Sequence, residues 1–193
     1  MNGLRFDPQT PIYEDKSALV PRVVNRSDFD TIFRVLYSEL GSYRWIISDT
    51  PILDFPEEWF VDAWYDEEQD VDRSPELDEY YSSIIDTVGS SFLAEPGYVT
   101  RYLQYLHDDW LDIYAVPPSF SDLKGFLKSY WDFKEEKERN LWLAETVELC
   151  FFNIDGMFWE FYSNHEKHLN VLEEHVKKIP AFQAIGRSFE EML

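Results

Sequence analysis

The chain has 193 residues, 45% hydrophobic and 18% aromatic, which is ample material for a core, excludes global disorder and fits one domain better than two. Its 38 acidic and 17 basic residues leave a formal net charge of -21, a field that repels nucleic acid and anionic membrane and attracts basic proteins, although such charge also serves solubility alone. Cys150 is the one cysteine, so no internal disulfide can form, and neither a basic-then-apolar leader nor an uninterrupted apolar run of about 18 residues appears; a reducing, cytoplasmic setting without a membrane span is expected.

Residues 1–26 carry Pro8, Pro11 and Pro21 with little periodicity and are expected to form an extended arm. Ser27 can cap a helix in which Phe29, Ile32, Phe33, Leu36 and Leu40 recur at helical spacing, stopped by Gly41. Tyr43 to Ser48 reads as a short strand ended by Asp49, Thr50 and Pro51. After Pro56, Glu57 to Tyr65 predicts a short helix and Asp66 to Arg73 an acidic loop. Ser74 and Pro75 then open a helix whose apolar side runs through Leu77, Tyr80 or Tyr81, Ile84, Ile85, Val88 and Phe92. Glu95 and Pro96 start another, with Val99, Tyr102, Leu103 and Leu106 on one face, and Trp110 to Val116 alternates as a strand. Ser121 and Asp122 begin a helix through Phe126, Leu127 and Tyr130, followed by a mixed-charge, solvated stretch from Lys134 to Asn140 for which a helix stays open.

Thr146 to Ser163 predicts a β-hairpin turning on Asp155-Gly156, the dipeptide suited to positive φ at both turn positions. A two-residue turn would pair Ile154 with Met157, Phe152 with Trp159 and Cys150 with Phe161. Asn164 can cap a last helix with Leu169, Leu172 and Val176 on one face, stopped by Pro180 and followed by a tail, 181–193. No internal repeat appears. The expected fold class is α+β: amphipathic helices packed on a small, mainly antiparallel sheet, with a C-terminal hairpin and helix, in one domain spanning 1–193.

Catalytic signatures are missing: there is no phosphate-binding loop, nucleophile elbow or dinucleotide-binding turn, and only seven glycines in all. No catalytic residue, metal or cofactor is assigned. His165 and His168 form the one close histidine pair, but their spacing of three departs from the i, i+4 pair of a zinc-binding helix, and solvent-facing histidines are the plainer reading. Carboxylate pairs such as Asp108-Asp109 and Glu57-Glu58 are too numerous to single out an acid and a base. Cys150, within an apolar strand, reads as an inert core thiol.

Asp54 to Asp86 is the least ordinary stretch, with thirteen acidic residues and one basic residue, Arg73, interleaved with Trp59, Phe60, Trp64, Tyr65, Tyr80 and Tyr81. Charge speeds encounter and aromatic groups anchor a contact, so this is the composition of a binding surface. The candidate partner-binding residues are Asp62, Trp64, Asp66, Glu67, Glu68, Asp70, Asp72, Glu76, Asp78 and Glu79. The plainer alternative assigns Trp59, Phe60, Trp64 and Tyr80 to the core and leaves the carboxylates merely solvated.

The block from Val147 to Tyr162, with its Ile154-Asp155-Gly156 turn and the charged helix that follows, resembles small immunity proteins that bacteria make against toxins delivered by neighbours. The resemblance implies a cytosolic antitoxin that binds and occludes a basic effector enzyme without chemistry of its own. Two alternatives stay open from the residues: a nucleic-acid mimic that occupies a DNA-binding protein, and an enzyme working through His165, His168 and nearby carboxylates or through a carboxylate pair.

Overall fold

A computed structural model describes residues 1–8, 26–48, 52–53, 74–107, 111–154, 158–179 and 182–188. Within them the fold is α+β, built on an antiparallel sheet of eight strands in the order β10-β1-β9-β8-β7-β2-β5-β4. These are β1 (Asn2–Pro8), β2 (Arg44–Ser48), β4 (Ile84–Val88), β5 (Ser91–Ala94), β7 (Leu111–Val116), β8 (Leu149–Ile154), β9 (Phe158–Ser163) and β10 (Phe182–Ser188). Two short strands, β3 (Ile52–Leu53) and β6 (Leu106–His107), pair separately.

Helices cover both faces. On the first face, α1 (Arg26–Phe33), α2 (Tyr37–Leu40), α3 (Pro75–Ser82), α4 (Tyr98–Tyr102) and α7 (Glu166–Val176) pack on a core that includes Phe6, Trp45, Ile113, Phe151 and Phe161. Phe33 of α1 sits at its centre, with its ring centroid 4.9 Å from that of Phe151 and 5.2 Å from those of Phe6 and Phe161. On the second face, α5 (Leu123–Asp132) and α6 (Glu136–Thr146) bury Leu123, Phe126 and Leu143 against Ile46, Tyr114, Cys150 and Tyr162. Because both faces are covered, Trp45, Ile46 and Ile47 are all buried although they alternate across the sheet.

Several expectations change. Residues assigned to an arm and a tail enter the sheet: β1 lies between β9 and β10, and Leu4 and Phe6 enter the first core. Gly3 permits this approach, since a Cβ there would run into the Tyr162 ring and lie 2.8 Å from the Phe161 carbonyl oxygen. The helix opened by Ser74 ends at Ser82, and Ile84 to Ala94 form a hairpin instead. β-Branched Ile84, Ile85, Thr87 and Val88 favour strand over helix, and Gly89 takes the positive φ of 62° that the turn requires. The first predicted helix is interrupted by a 3-10 turn at Arg34–Leu36 between α1 and α2, while Ile32, Phe33, Leu36 and Leu40 are buried as the periodicity requires. The mixed-charge stretch Lys134 to Asn140 takes the helical alternative, running into α6, which continues to Thr146, so that the first strand of the hairpin starts only at Leu149.

The C-terminal hairpin exists as β8 and β9, but its register differs by one residue. The pairs are Ile154 with Phe158, Asn153 with Trp159, Phe152 with Glu160, Phe151 with Phe161 and Cys150 with Tyr162. Residues 155–157 therefore separate the strands where a two-residue turn was expected, and each cross-strand partner moves accordingly. The result places Phe151 beside Phe161 in the larger core, with ring centroids 4.8 Å apart. Neither hairpin edge is open, because β8 also pairs with β7 and β9 with β1.

No helix among the described residues is long and apolar enough to cross a membrane.

Candidate interaction surface

Of the ten candidate partner-binding residues, Glu76, Asp78 and Glu79 lie within the described structure; Asp62, Trp64, Asp66, Glu67, Glu68, Asp70 and Asp72 lie outside it, as do the helix and loop predicted between Glu57 and Arg73. The three described carboxylates share α3. Ser74 caps this helix, its Oγ accepting the Leu77 N–H at 3.2 Å, and Pro75 occupies the first turn. Glu76 and Asp78 sit in that turn, where the helix dipole favours negative charge.

Packing decides which way α3 faces. Leu77 and Tyr80 are buried, and the Tyr80 ring lies 5.1 Å from that of Tyr102 and 5.9 Å from that of Tyr98. Tyr80 thus belongs to the core. Glu76, Asp78 and Glu79 are consequently exposed, and Tyr81 keeps half of its surface in solvent. Arg101 of α4 holds Glu79 at 2.6 Å, whereas Glu76 and Asp78 make no ion pair among the described residues. α3 leads directly into β4, where Ile85 and Asp86 are also exposed. That strand ends the sheet, but a bulge between Ile84 and Asp86 and the Asp86 charge discourage simple strand addition. The exposed side chains of α3 thus include three carboxylates and a half-exposed tyrosine.

A second polar cluster lies at the start of α7. Ser163 Oγ accepts the His165 N–H at 3.0 Å and lies 3.1 Å from His168 Nδ1. His168 Nε2 points towards Glu39 Oε2 of α2 at 3.7 Å, beyond hydrogen-bonding distance, and Lys167 donates to the same carboxylate at 2.6 Å. Glu148 lies 3.3 Å from His165 Nε2. Neither Ser163 nor Glu39 stood out in the sequence, since nothing local links positions so far apart. Asn164, expected to cap the helix through its side chain, instead donates to the carbonyls of Ala144 and Val147, each at 3.1 Å.

A hydroxyl, an imidazole and a carboxylate in series also occur in nucleophilic catalysis. Here Ser163 is 2% and His168 1% exposed, the hydroxyl sits on Nδ1, and the carboxylate falls short of Nε2. These groups fasten α7 to β9 and α2. A polar recess of about 300 Å³ adjoins them, lined by Met1, Asn2, Ser163, Asn164, Glu166 and Leu169. Among the described residues no three of His, Cys, Asp and Glu are grouped to hold a metal ion. Burial, followed by the nearby Asp112 charge, pushes the Cys150 thiol well above its ordinary range, which suits a packing group and not a nucleophile.

Comparison of the chain with protein families, curated proteins and solved structures finds no match.

Proposed function

We propose that the chain is a cytoplasmic, non-catalytic binding protein, specifically an immunity protein that neutralises a basic bacterial toxin or effector enzyme by occluding it. The observation that carries this reading is the exposed surface of α3, which presents Glu76, Asp78 and the half-exposed Tyr81 within the acidic stretch from Asp54 to Asp86. With a net charge of -21, long-range attraction favours a cationic protein, and a solvent-exposed aromatic ring supplies a local anchor. The resemblance of the hairpin-helix block to immunity proteins supplies the biological setting, and the lone buried cysteine is compatible with a reducing compartment.

The test uses the untagged native protein as bait in lysate of its source organism at low and high salt. A single basic partner, captured in a salt-sensitive manner, is the expected result. Glu76→Lys with Asp78→Lys should then slow association and weaken the complex, while a toxin assay should show loss of protection. A captured partner whose association is indifferent to both substitutions and to salt would move the interface away from α3.

A further inference from the structure

Six described cations of this acidic chain lie in ion pairs with carboxylates: Arg34 with Asp30, Arg44 with Glu95, Arg101 with Glu79, Arg139 with Glu136, Lys167 with Glu39, and Lys177 with Glu173 and Glu174. The lysines of the α5–α6 hairpin depart from this pattern. Lys124, Lys128, Lys134 and Lys137 are exposed there and make no ion pair among the described residues; Lys178, at the end of α7, is the other such lysine. Carboxylates outnumber cations 38 to 17 over the whole chain, so unpaired lysines gathered in one hairpin run against the general balance. Two nearby carboxylates are already engaged, Asp122 in capping α5 through the Gly125 N–H and Glu136 by Arg139.

Beside these lysines lies Trp131, 71% exposed and the most exposed large hydrophobic residue among those described. Lys124, Lys128 and Trp131 follow the i, i+4, i+7 spacing and share one flank of α5; Asp132, four residues after Lys128, borders the same flank but makes no ion pair with it. The tryptophan stands on an ordered base. Its ring meets that of Tyr130 edge-on at 5.2 Å; Tyr130 stacks on Phe126 at 6.5 Å, and the Arg139 guanidinium covers the Tyr130 ring at 5.0 Å. A large aromatic group on a fixed base, flanked by open cations, combines a pre-organised anchor with complementarity for negative charge.

We propose that this flank of α5 is a docking surface for an acidic segment of another protein that carries an apolar side chain. The apolar group covers Trp131 and the segment's carboxylates meet Lys124 and Lys128. This surface differs in charge from the carboxylate-bearing face of α3, so it takes a different partner chemistry and does not depend on the immunity reading.

The direct test measures the fluorescence anisotropy of a labelled synthetic peptide, glutamates around a central phenylalanine, titrated with the full chain at about 0.15 M salt, where screening shortens the reach of the overall negative charge. Saturable binding is expected, weakened about tenfold or more by Trp131→Ala and by Lys124→Glu with Lys128→Glu, and unchanged by Glu76→Lys. All these side chains are exposed, and unchanged thermal melting confirms that the variants fold. Replacing the peptide's phenylalanine by serine should weaken binding similarly. Absence of saturable binding, or binding indifferent to Trp131, overturns the proposal. Preferential binding of a single-stranded oligonucleotide through the same residues would also overturn it, by assigning the flank to nucleic acid.

Discussion

Ser163 Oγ lies 3.1 Å from Nδ1 of His168, and both side chains are buried where α7 meets the sheet. Burial is the main influence holding the imidazole below its ordinary value of 6.5; nearby His165 and Lys167 act in the same sense and Glu39 opposes them. Below about pH 6.5 the unfolded chain therefore takes up this proton before the folded chain does. The His168 contribution to stability is fully present above that pH and is lost as the pH falls through the lowered folded value. Urea midpoints measured across this range should decline for the wild type, and the slope should flatten in His168→Asn. An equal slope in both proteins would assign the effect to other groups.

Cys150 should be chemically silent in the native state. Its side chain is completely buried between the sheet and the α5–α6 layer, and desolvation disfavours the reactive thiolate. A thiol reagent such as Ellman's should find no reactive group in native protein and one per chain in denaturant. Rapid native labelling would show that this layer opens readily.

The close approach of β1 to β9 makes Gly3 sensitive to any side chain. Gly3→Ala introduces a methyl group against the Tyr162 ring and Phe161 carbonyl oxygen, and overpacking of this kind costs about 1–3 kcal/mol. Since β10 pairs with β1, denaturant unfolding should register the loss, with reduced protection of both strands in hydrogen exchange. Unchanged stability would mean that β1 readily shifts away from Tyr162.

Ser74→Ala removes the Oγ that accepts the Leu77 N–H and leaves that donor without its cap. Loss of such a cap costs about 1 kcal/mol. Chemical denaturation checks the stability change. Once a partner for α3 is in hand, the same variant should bind it more weakly without altering any carboxylate, because the helix presenting Glu76 and Asp78 is less firmly set.

Local pattern made α5 and α7 legible. Asp122 caps α5 as expected, and Leu169, Leu172 and Val176 are the buried stripe of α7. The strands at 44–48 and 111–116 were likewise foreseen, as was a hairpin near Asp155. The candidate surface was only partly legible: composition marked the carboxylates of α3 for exposure, yet Tyr80 and Tyr81, adjacent in sequence and similar in chemistry, take opposite fates because successive helical residues point about 100° apart. The Ser163–His168–Glu39 cluster had no sequence signal, since its members come from β9, α7 and α2.

The sequence by itself determined the α+β class, the strong negative charge and the amphipathic helices, because each depends on composition or on spacing within a few residues. Tertiary structure decided which strands are neighbours and in what register. β1 and β10 contain short alternating apolar groups, Leu4 with Phe6 and Phe182 with Ala184, but a strand's open hydrogen-bonding groups do not specify a partner so distant along the chain. The register of β8 and β9 was settled by the simultaneous burial of Phe151 and Phe161 on one face and of Cys150 and Tyr162 on the other. A local turn signal cannot encode that two-sided packing, which exists only once helices cover both faces of the sheet.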